Sequence, residues 1–469
     1  MTTIRAMSIA PDAPHCPAPS MAELPVAPSV ARPWRRATLW LTFLGPFFYV
    51  TYGLANWLAS LRHGVPSIVF DWEHAIPFIG WTIIPYWSVN AFYATSFFLC
   101  RNKHELDTLG RRLFTAQIIA VACFILFPLR FDFVRPEVEG FPGFLFAALT
   151  SFDQPFNQMP SLHIALLVIL WIFYARIVPG WAMWLLCPWY MLVGLSVLTT
   201  YQHHFIDIPT GALLGFLCLW LWPDRGPAPL LGIRCTADRR RVVLAGRYGA
   251  GALGVAALGY WIGGTGLWLF WPAWSLVMVA ANYAAVGADG FQKGRHGRVS
   301  LASRVLFAPY LVGAWINSRA WTYWSPIPVM IADRVALGRV PDCLTAAKFS
   351  SVIDLSAELP GHCRYTPWFA FPMLDLVTPD PQRLRAAAAA IEKARGSGPV
   401  LVCCALGYSR SVAAVAVWLV RYGGADSVSH AINCIRVARP RIVLDDAARN
   451  AIATAALPEP NWSSRHGSA

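Results

Sequence analysis

Charge is what this chain has least of. Only 13% of its 469 residues are Asp, Glu, Lys or Arg, against about 25% in an ordinary soluble protein. Water therefore cannot be the solvent for all of it. Metal-ligand spacing is also lacking. The 11 Cys are scattered, with no zinc-like pairs and no disulfide framework, so neither a metal nor another cofactor is expected. No cleaved leader is expected either, because no apolar stretch precedes Arg32, Arg35 and Arg36. Residues 1–36 are rich in Pro, Ala and Ser and read as a disordered cytoplasmic tail.

The chain has instead an apolar first half. Hydrophobic residues make up 56% of the sequence, and the 22 Trp fit a lipid–water boundary. Eight stretches approach the roughly 20 residues a bilayer requires: 38–60, 75–99, 115–129, 161–178, 181–200, 208–222, 248–264 and 267–285. Bases recur in every second connection. They fall before the first stretch, in 101–112, in 225–247 (Arg225 to Arg247), and at Lys293, Arg295 and Arg298. The positive-inside rule then puts both termini in the cytoplasm. The net charge of +13 is explained by these loops, and no nucleic-acid partner is expected.

From about residue 300 the composition becomes that of a globular domain. Strands are expected at 335–341, 350–355 and 399–404, and helices at 382–394 and 411–422. This alternation predicts a small soluble α/β domain. The expected organisation is a tail (1–36), a membrane helix bundle with a six-span core (37–225), two further spans with a basic linker (226–300) and the α/β domain (301–460).

Two constellations carry chemistry. The first is Val-Leu-Val-Cys-Cys-Ala-Leu-Gly-Tyr-Ser-Arg-Ser (400–411). An apolar strand leads into it and an apolar helix leads out, so a loop wound at a helix N-terminus aims backbone N–H groups at one point, as an anion requires. Arg410 can grip two phosphate oxygens. Cys404 lies at the loop floor as a nucleophile able to form a thiophosphate. Gly407 shapes the loop, and Ser411 can donate to the sulfur as it leaves. The bland alternative is a core Cys with a surface Arg nearby.

This segment resembles the dual-specificity branch of the protein tyrosine phosphatase family over about 330–455. The likeness extends to Leu-Gly-Arg-Val-Pro, Val-Ile-Asp-Leu and Arg-Pro-Arg-Ile-Val-Leu (439–444). It implies Cys404 as nucleophile, Arg410 as phosphate ligand and an Asp some 30 residues upstream as general acid. Asp375 fits at 29 residues, with Asp380 as the alternative. Cys403 stands where the family has His. That places two thiols side by side and opens oxidative regulation. Ala405, Leu406, Tyr408 and Ser409 carry no charge, which argues against a polyphosphorylated inositol.

The second constellation is Gln-Met-Pro-Ser-Leu-His (158–163) with Tyr-Gln-His-His-Phe-Ile-Asp (201–207). Ionisable residues near lipid are costly and tend to be functional. His203 and Asp207, four apart, share a helix face, and the carboxylate fixes the imidazole tautomer. His203 would attack phosphorus, His163 would protonate the leaving alkoxide, and Ser161 would help hold phosphate. These segments resemble the type 2 phosphatidic acid phosphatase superfamily over about 75–225, with Leu162, Val197 and Pro128 departing from its motifs and Arg135–Pro136 matching. His204 is a possible alternative to His203. The Pro-Ser-Leu-His and His-His segments are closer to the inositol phosphorylceramide synthase branch, which transfers a headgroup to a lipid alcohol.

The combined expectation is a bifunctional membrane phosphatase, of a bacterial inner membrane. It would act on a lipid phosphate outside and on a phosphoprotein or phospholipid inside. A headgroup transferase, or a C-terminal domain that only binds phosphorylated partners, are the alternatives.

Overall fold

The computed structural model describes residues 32–458, so most of the expected tail lies outside the described residues. The first half is helical: α1 (Trp34–Ser60), α2 (Ile83–Leu99), α3 (Lys103–Leu126), α4 (Gly140–Thr150), α5 (Leu162–Ile177), α6 (Gly180–Thr199), α7 (Asp207–Leu221), α8 (Arg239–Ile262) and α9 (Phe270–Ala281). Helix starts follow local chemistry. Asn102 accepts from Glu105 N at 2.9 Å, and Glu105 accepts from Arg101 N at 2.8 Å, closing the start of α3. Ser161 accepts from Ile164 N at 3.3 Å to start α5.

All eight expected apolar stretches are helical over most of their length, but among the described residues five segments are long and apolar enough to cross a membrane: α1, α3, α6, α8, and α9 with its flanking turns. Helices α5 and α7 are shorter, and α4 is an additional short apolar helix that the sequence reading did not separate from its loop. The stretch expected to begin at residue 75 opens with two 3-10 turns, and α2 starts at Ile83. Large apolar side chains face outward along these helices, including Leu39, Trp184, Tyr260 and Trp261.

The bundle has two chemically different ends. At one, Arg36 pairs with Asp107 at 2.6 Å, while Arg112 and Arg176 both reach Asp224, at 3.0 and 2.7 Å. At the other, Glu73, Arg135, His203 and His204 gather around the start of α7. Helix α7 runs between them. Near its far end Trp220 donates from Nε1 to Gly290 O at 2.8 Å and accepts from Gln292 Nε2 at 2.7 Å. The chain leading into the α/β domain is docked there, opposite the histidines.

Helices α10 (Leu301–Leu306) and α11 (Ala308–Trp321) precede a five-stranded sheet: β1 (Val329–Ala332), β2 (Val335–Arg339), β3 (Ser351–Ser356), β4 (Trp368–Met373) and β5 (Val400–Cys404). The order is β1-β2-β5-β3-β4. Only β1 is antiparallel to its neighbour. The short α12 (Cys343–Ala346) follows β2. Helices α13 (Pro381–Arg395), α14 (Arg410–Arg421), α15 (Val428–Ala438) and α16 (Asp446–Ala456) complete the domain. Central β5 is fully buried because it is covered on both faces. Val400, Val402 and Cys404 pack with α13, α14, α15 and α16, and Leu401 and Cys403 pack on the other face.

The α/β domain begins earlier than residue 301. Lys293, expected as a loop base, is buried. Its Nζ meets Asp354 Oδ2 at 2.5 Å, Leu359 O at 2.7 Å and Ser356 O at 2.8 Å. Gly297 O accepts from Gly361 N at 3.0 Å and Arg295 O accepts from Ala370 N at 2.8 Å. Residues 293–300 thus line the domain wall, since a buried carboxylate on β3 needs a cation that its own sheet does not supply.

Candidate functional site

Cys404 ends β5 and Arg410 opens α14, so residues 405–409 form the turn between strand and helix. Cys404 Sγ accepts from Gly407 N and from Ser411 Oγ, each at 3.2 Å. Gly407 has φ +75°, and a Cβ there would stand 2.5 Å from the Gly338 carbonyl. Only glycine lets the turn close against β2. Cys403 points to the opposite face of the sheet, as strand alternation dictates. The two thiols adjacent in sequence therefore do not share a space. Burial pushes the Cys403 thiol well above its usual pKa, so it is a packing residue and not a second nucleophile.

Arg410 is buried and its guanidinium is fully engaged at its tip. Nη1 donates to Glu358 Oε2 and to Met373 O, each at 2.8 Å, and Nη2 donates to Glu358 Oε1 at 2.7 Å and lies 3.1 Å from Asp375 Oδ1. Burial opposes the charge, yet the Asp375 and Glu358 carboxylates hold the Arg410 pKa well above its usual value. Burial also opposes ionisation of Glu358, but Arg410 outweighs it and keeps that carboxyl below its usual range. Asp375 goes the other way: burial raises its pKa, Arg410 pulls against this and the charge of Glu358 adds to it. One carboxylate is held ionised and the other is held toward its acid form, which is the division a phosphate site with a proton donor needs.

The alternative Asp380 is spent on structure. It caps α13 by accepting from Gln382 N at 2.9 Å. Glu358 is the residue that sequence reading missed. Arg439, from the 439–444 stretch, braces the turn by donating to Leu406 O at 3.3 Å and lying over the Tyr408 ring at 5.1 Å.

Above the turn lies a cleft of about 410 Å³. Glu358, Asp375, Ala405 and Leu406 line it from the α/β domain, and residues of α8, α9 and α11 line it from the helical side. Helix α11 is fastened there, with Ser318 Oγ donating to Ala405 O at 2.5 Å and Tyr408 donating to Trp321 O at 3.2 Å.

At the other end of the molecule, His203 Nδ1 lies 3.2 Å from Asp207 Oδ2, which also accepts from His204 N at 3.1 Å. The pair is buried. Its engagement through Nδ1 leaves Nε2 as the ring nitrogen able to act. His203 lines a cavity of about 440 Å³ together with Arg130, Arg135, Tyr52 and Asp153. Asp153 accepts from Tyr52 at 2.9 Å, and neither was singled out in the sequence. Arg135 donates to Thr200 O at 3.2 Å and Tyr201 O at 3.1 Å.

His204 has a different place. Its Nδ1 lies 3.2 Å from Glu73 Oε2, and its Nε2 accepts from Asp132 N at 3.2 Å. Both ring nitrogens are used, so His204 ties loops together. Ser161 is buried as the cap of α5. His163 is not among the residues lining the 440 Å³ cavity. Its ring stacks on Tyr86 at 4.1 Å, with Nε2 buried and unpartnered. An apolar cavity of about 540 Å³ borders this end, touching Met159, Pro160 and Ile206, the residues that flank Ser161 and Asp207.

Residues 335–453 match the family model "Dual specificity phosphatase, catalytic domain". No curated protein matches the chain. Among solved structures, human DUSP28 is similar at 24% identity over 28% of this chain and 93% of that one, with a TM-score of 0.26. Tk-PTP in its active form is 26% identical over 28% of this chain and 97% of that one, also at 0.26. A mouse putative dual specificity phosphatase complexed with zinc tungstate is 22% identical over 28% and 86%, again at 0.26. The chain thus carries a dual specificity phosphatase catalytic domain over residues 335–453, and with it the activity of a phosphoric monoester hydrolase.

Proposed function

We propose that this is a membrane phosphatase with two phosphoester sites at opposite ends of a helical bundle. At the C-terminal site, the Cys404 thiolate attacks phosphorus. The bond from phosphorus to the substrate oxygen breaks, and Asp375 gives that oxygen its proton. Water then attacks the thiophosphate, Asp375 takes a proton back, and inorganic phosphate leaves as the thiolate is restored. Arg410, through the Nε that Glu358 and Asp375 leave unpartnered, and the turn N–H groups hold the phosphoryl oxygens. The observation that carries this reading is the convergence of Ser411 Oγ and Gly407 N on the Cys404 sulfur.

At the other site, His203 is the nucleophile and Asp207 its orienting partner, with a phosphohistidine intermediate. A lipid phosphate is the substrate we infer. The reading is supported by the buried His203–Asp207 pair facing a cavity with Arg130 and Arg135, and by the apolar cavity next to it. His163 remains the proton donor in this scheme, its unpartnered Nε2 being the nitrogen to deliver it. A second reading is headgroup transfer to a lipid alcohol. It is favoured by Val197, buried where the resembling family has a phosphate-binding Arg.

Phosphate release by the full chain separates these roles. Cys404→Ser should abolish aryl phosphate hydrolysis, and His203→Ala should abolish a Cys404-independent release from lipid phosphate. A His203-dependent phosphodiester lipid, without free phosphate, would establish the transferase instead. Unchanged aryl phosphate hydrolysis in Cys404→Ser would end the C-terminal reading.

A further inference from the structure

We infer that the Cys404 site takes a lipid phosphomonoester, with its apolar chains running out between α9 and α11; this rests on the cysteinyl-phosphate reading above. Beside the phosphate grip lies a cleft walled on one side by helices α8, α9 and α11. Glu358 and Asp375 lie at the floor of the 410 Å³ cleft, whose walls are Tyr248 of α8, Leu276 of α9, and Tyr310 and Gly313 of α11. Helices α8 and α9, the latter with its flanking turns, are among those long and apolar enough to cross a membrane. A group leaving the phosphate site through this cleft therefore meets apolar helix surface.

Two further observations specify the occupant. First, apart from Asn317 and the tyrosine hydroxyls, the helical walls are apolar. Tyr248 stacks on Tyr283, and Tyr310 meets the edge of Tyr248, with ring centroids 5.4 and 5.9 Å apart. The ring of Tyr283 is tied to the Cys404 site by donating from its hydroxyl to Asp375 O at 3.1 Å. An extended peptide that binds by strand addition needs a sheet edge, and the helical walls of the cleft present none. Second, the outer face of α11 is apolar and exposed at Val312, Trp315 and Ile316, and the chain beyond it exposes Tyr323, Trp324 and Ile327. Aromatic residues at this density belong at a lipid headgroup layer. A lipid whose head enters the cleft would keep its tails among these side chains.

The test uses the full chain in a His203→Ala background, so that only the Cys404 site reports. Phosphate release is measured for long-chain phosphatidic acid in mixed micelles, glycerol phosphate, a phosphotyrosine peptide and an aryl phosphate. Each is corrected by the matching Cys404→Ser protein. The expected result is a kcat/KM for phosphatidic acid at least tenfold above those for glycerol phosphate and the peptide. Gly313→Leu narrows the cleft at a position where a side chain has open space. It should lower the ratio of phosphatidic acid to aryl phosphate kcat/KM at least tenfold. Aryl phosphate hydrolysis with phosphatidic acid no better than the peptide or glycerol phosphate would overturn the lipid assignment alone. No Cys404-dependent release from any of the four would overturn both it and the cysteinyl-phosphate reading. The chain-length comparison stands even where the cleft variant does not fold.

Discussion

Glu358, which lines the cleft beside the Cys404 turn, grips Arg410 at both terminal guanidinium nitrogens, at 2.8 and 2.7 Å. The pair is buried, so removing one partner leaves an uncompensated charge that costs about 3–5 kcal/mol. Glu358→Ala should therefore lower the Tm of the full chain. Inorganic phosphate should raise the Tm of the variant more than that of the wild type, because an anion then occupies the vacated grip. The carboxyl is held below its usual range. Its stabilisation is therefore present at neutral pH and is lost as pH falls through the folded-state value. Equal phosphate shifts in both proteins would show that Glu358 does not face the anion.

Ser411 should act on the second half of the reaction. Its hydroxyl donates to the Cys404 sulfur, and a hydrogen bond to a charged group contributes about 1.5–3 kcal/mol, or roughly 10–100-fold in rate. Ser411→Ala is expected to form the thiophosphate and break it down slowly. Rapid-mixing measurements with an aryl phosphate should show a burst of alcohol followed by a slower steady state. A variant without a burst, slowed equally in both phases, would place Ser411 elsewhere in the mechanism.

Asp375 sets a pH limb. Its carboxyl is raised above the usual range, mainly by burial, so the acid form persists to higher pH than for an ordinary Asp. As proton donor it works below that value, and kcat/KM for a poor leaving group should decline as pH rises through it. Asp375→Asn should lose this limb and lower kcat by about 10²–10⁴-fold. An unchanged pH profile in Asp375→Asn would remove Asp375 from proton transfer.

The residues of this site differ in how plainly the chain displays them. Cys404, Gly407, Arg410 and Ser411 were legible because strand, turn and helix are contiguous, so spacing alone fixes their geometry. Asp375 was legible only by its distance from Cys404. Glu358 was not legible at all. It sits in Ser-Ala-Glu-Leu-Pro, which reads as an exposed turn after a strand, and only the packing of β3 beside β5 brings it under Arg410. The histidine end shows the same limit. Two neighbouring histidines looked interchangeable, and a distant carboxylate, Glu73, gives His204 its separate job.

Lys293 tests where the α/β domain begins. Its ammonium group is the cation closest to the buried Asp354, at 2.5 Å. Lys293→Met should destabilise the domain by about 3–5 kcal/mol, read by denaturant unfolding. A protein starting at residue 301 should suffer in the same way, whereas Lys293→Met combined with Asp354→Leu should recover much of the loss. Wild-type stability in Lys293→Met would return Lys293 to the loop.

Helix α7 carries Asp207 on its first residue and Trp220 on its fourteenth, a rise of about 20 Å. The His203–Asp207 pair and the docking point of the thiol domain are thus held apart by a single rod that cannot shorten. In the proposed two-site reading, a molecule that reacts at one end reaches the other only by travelling the length of this rod.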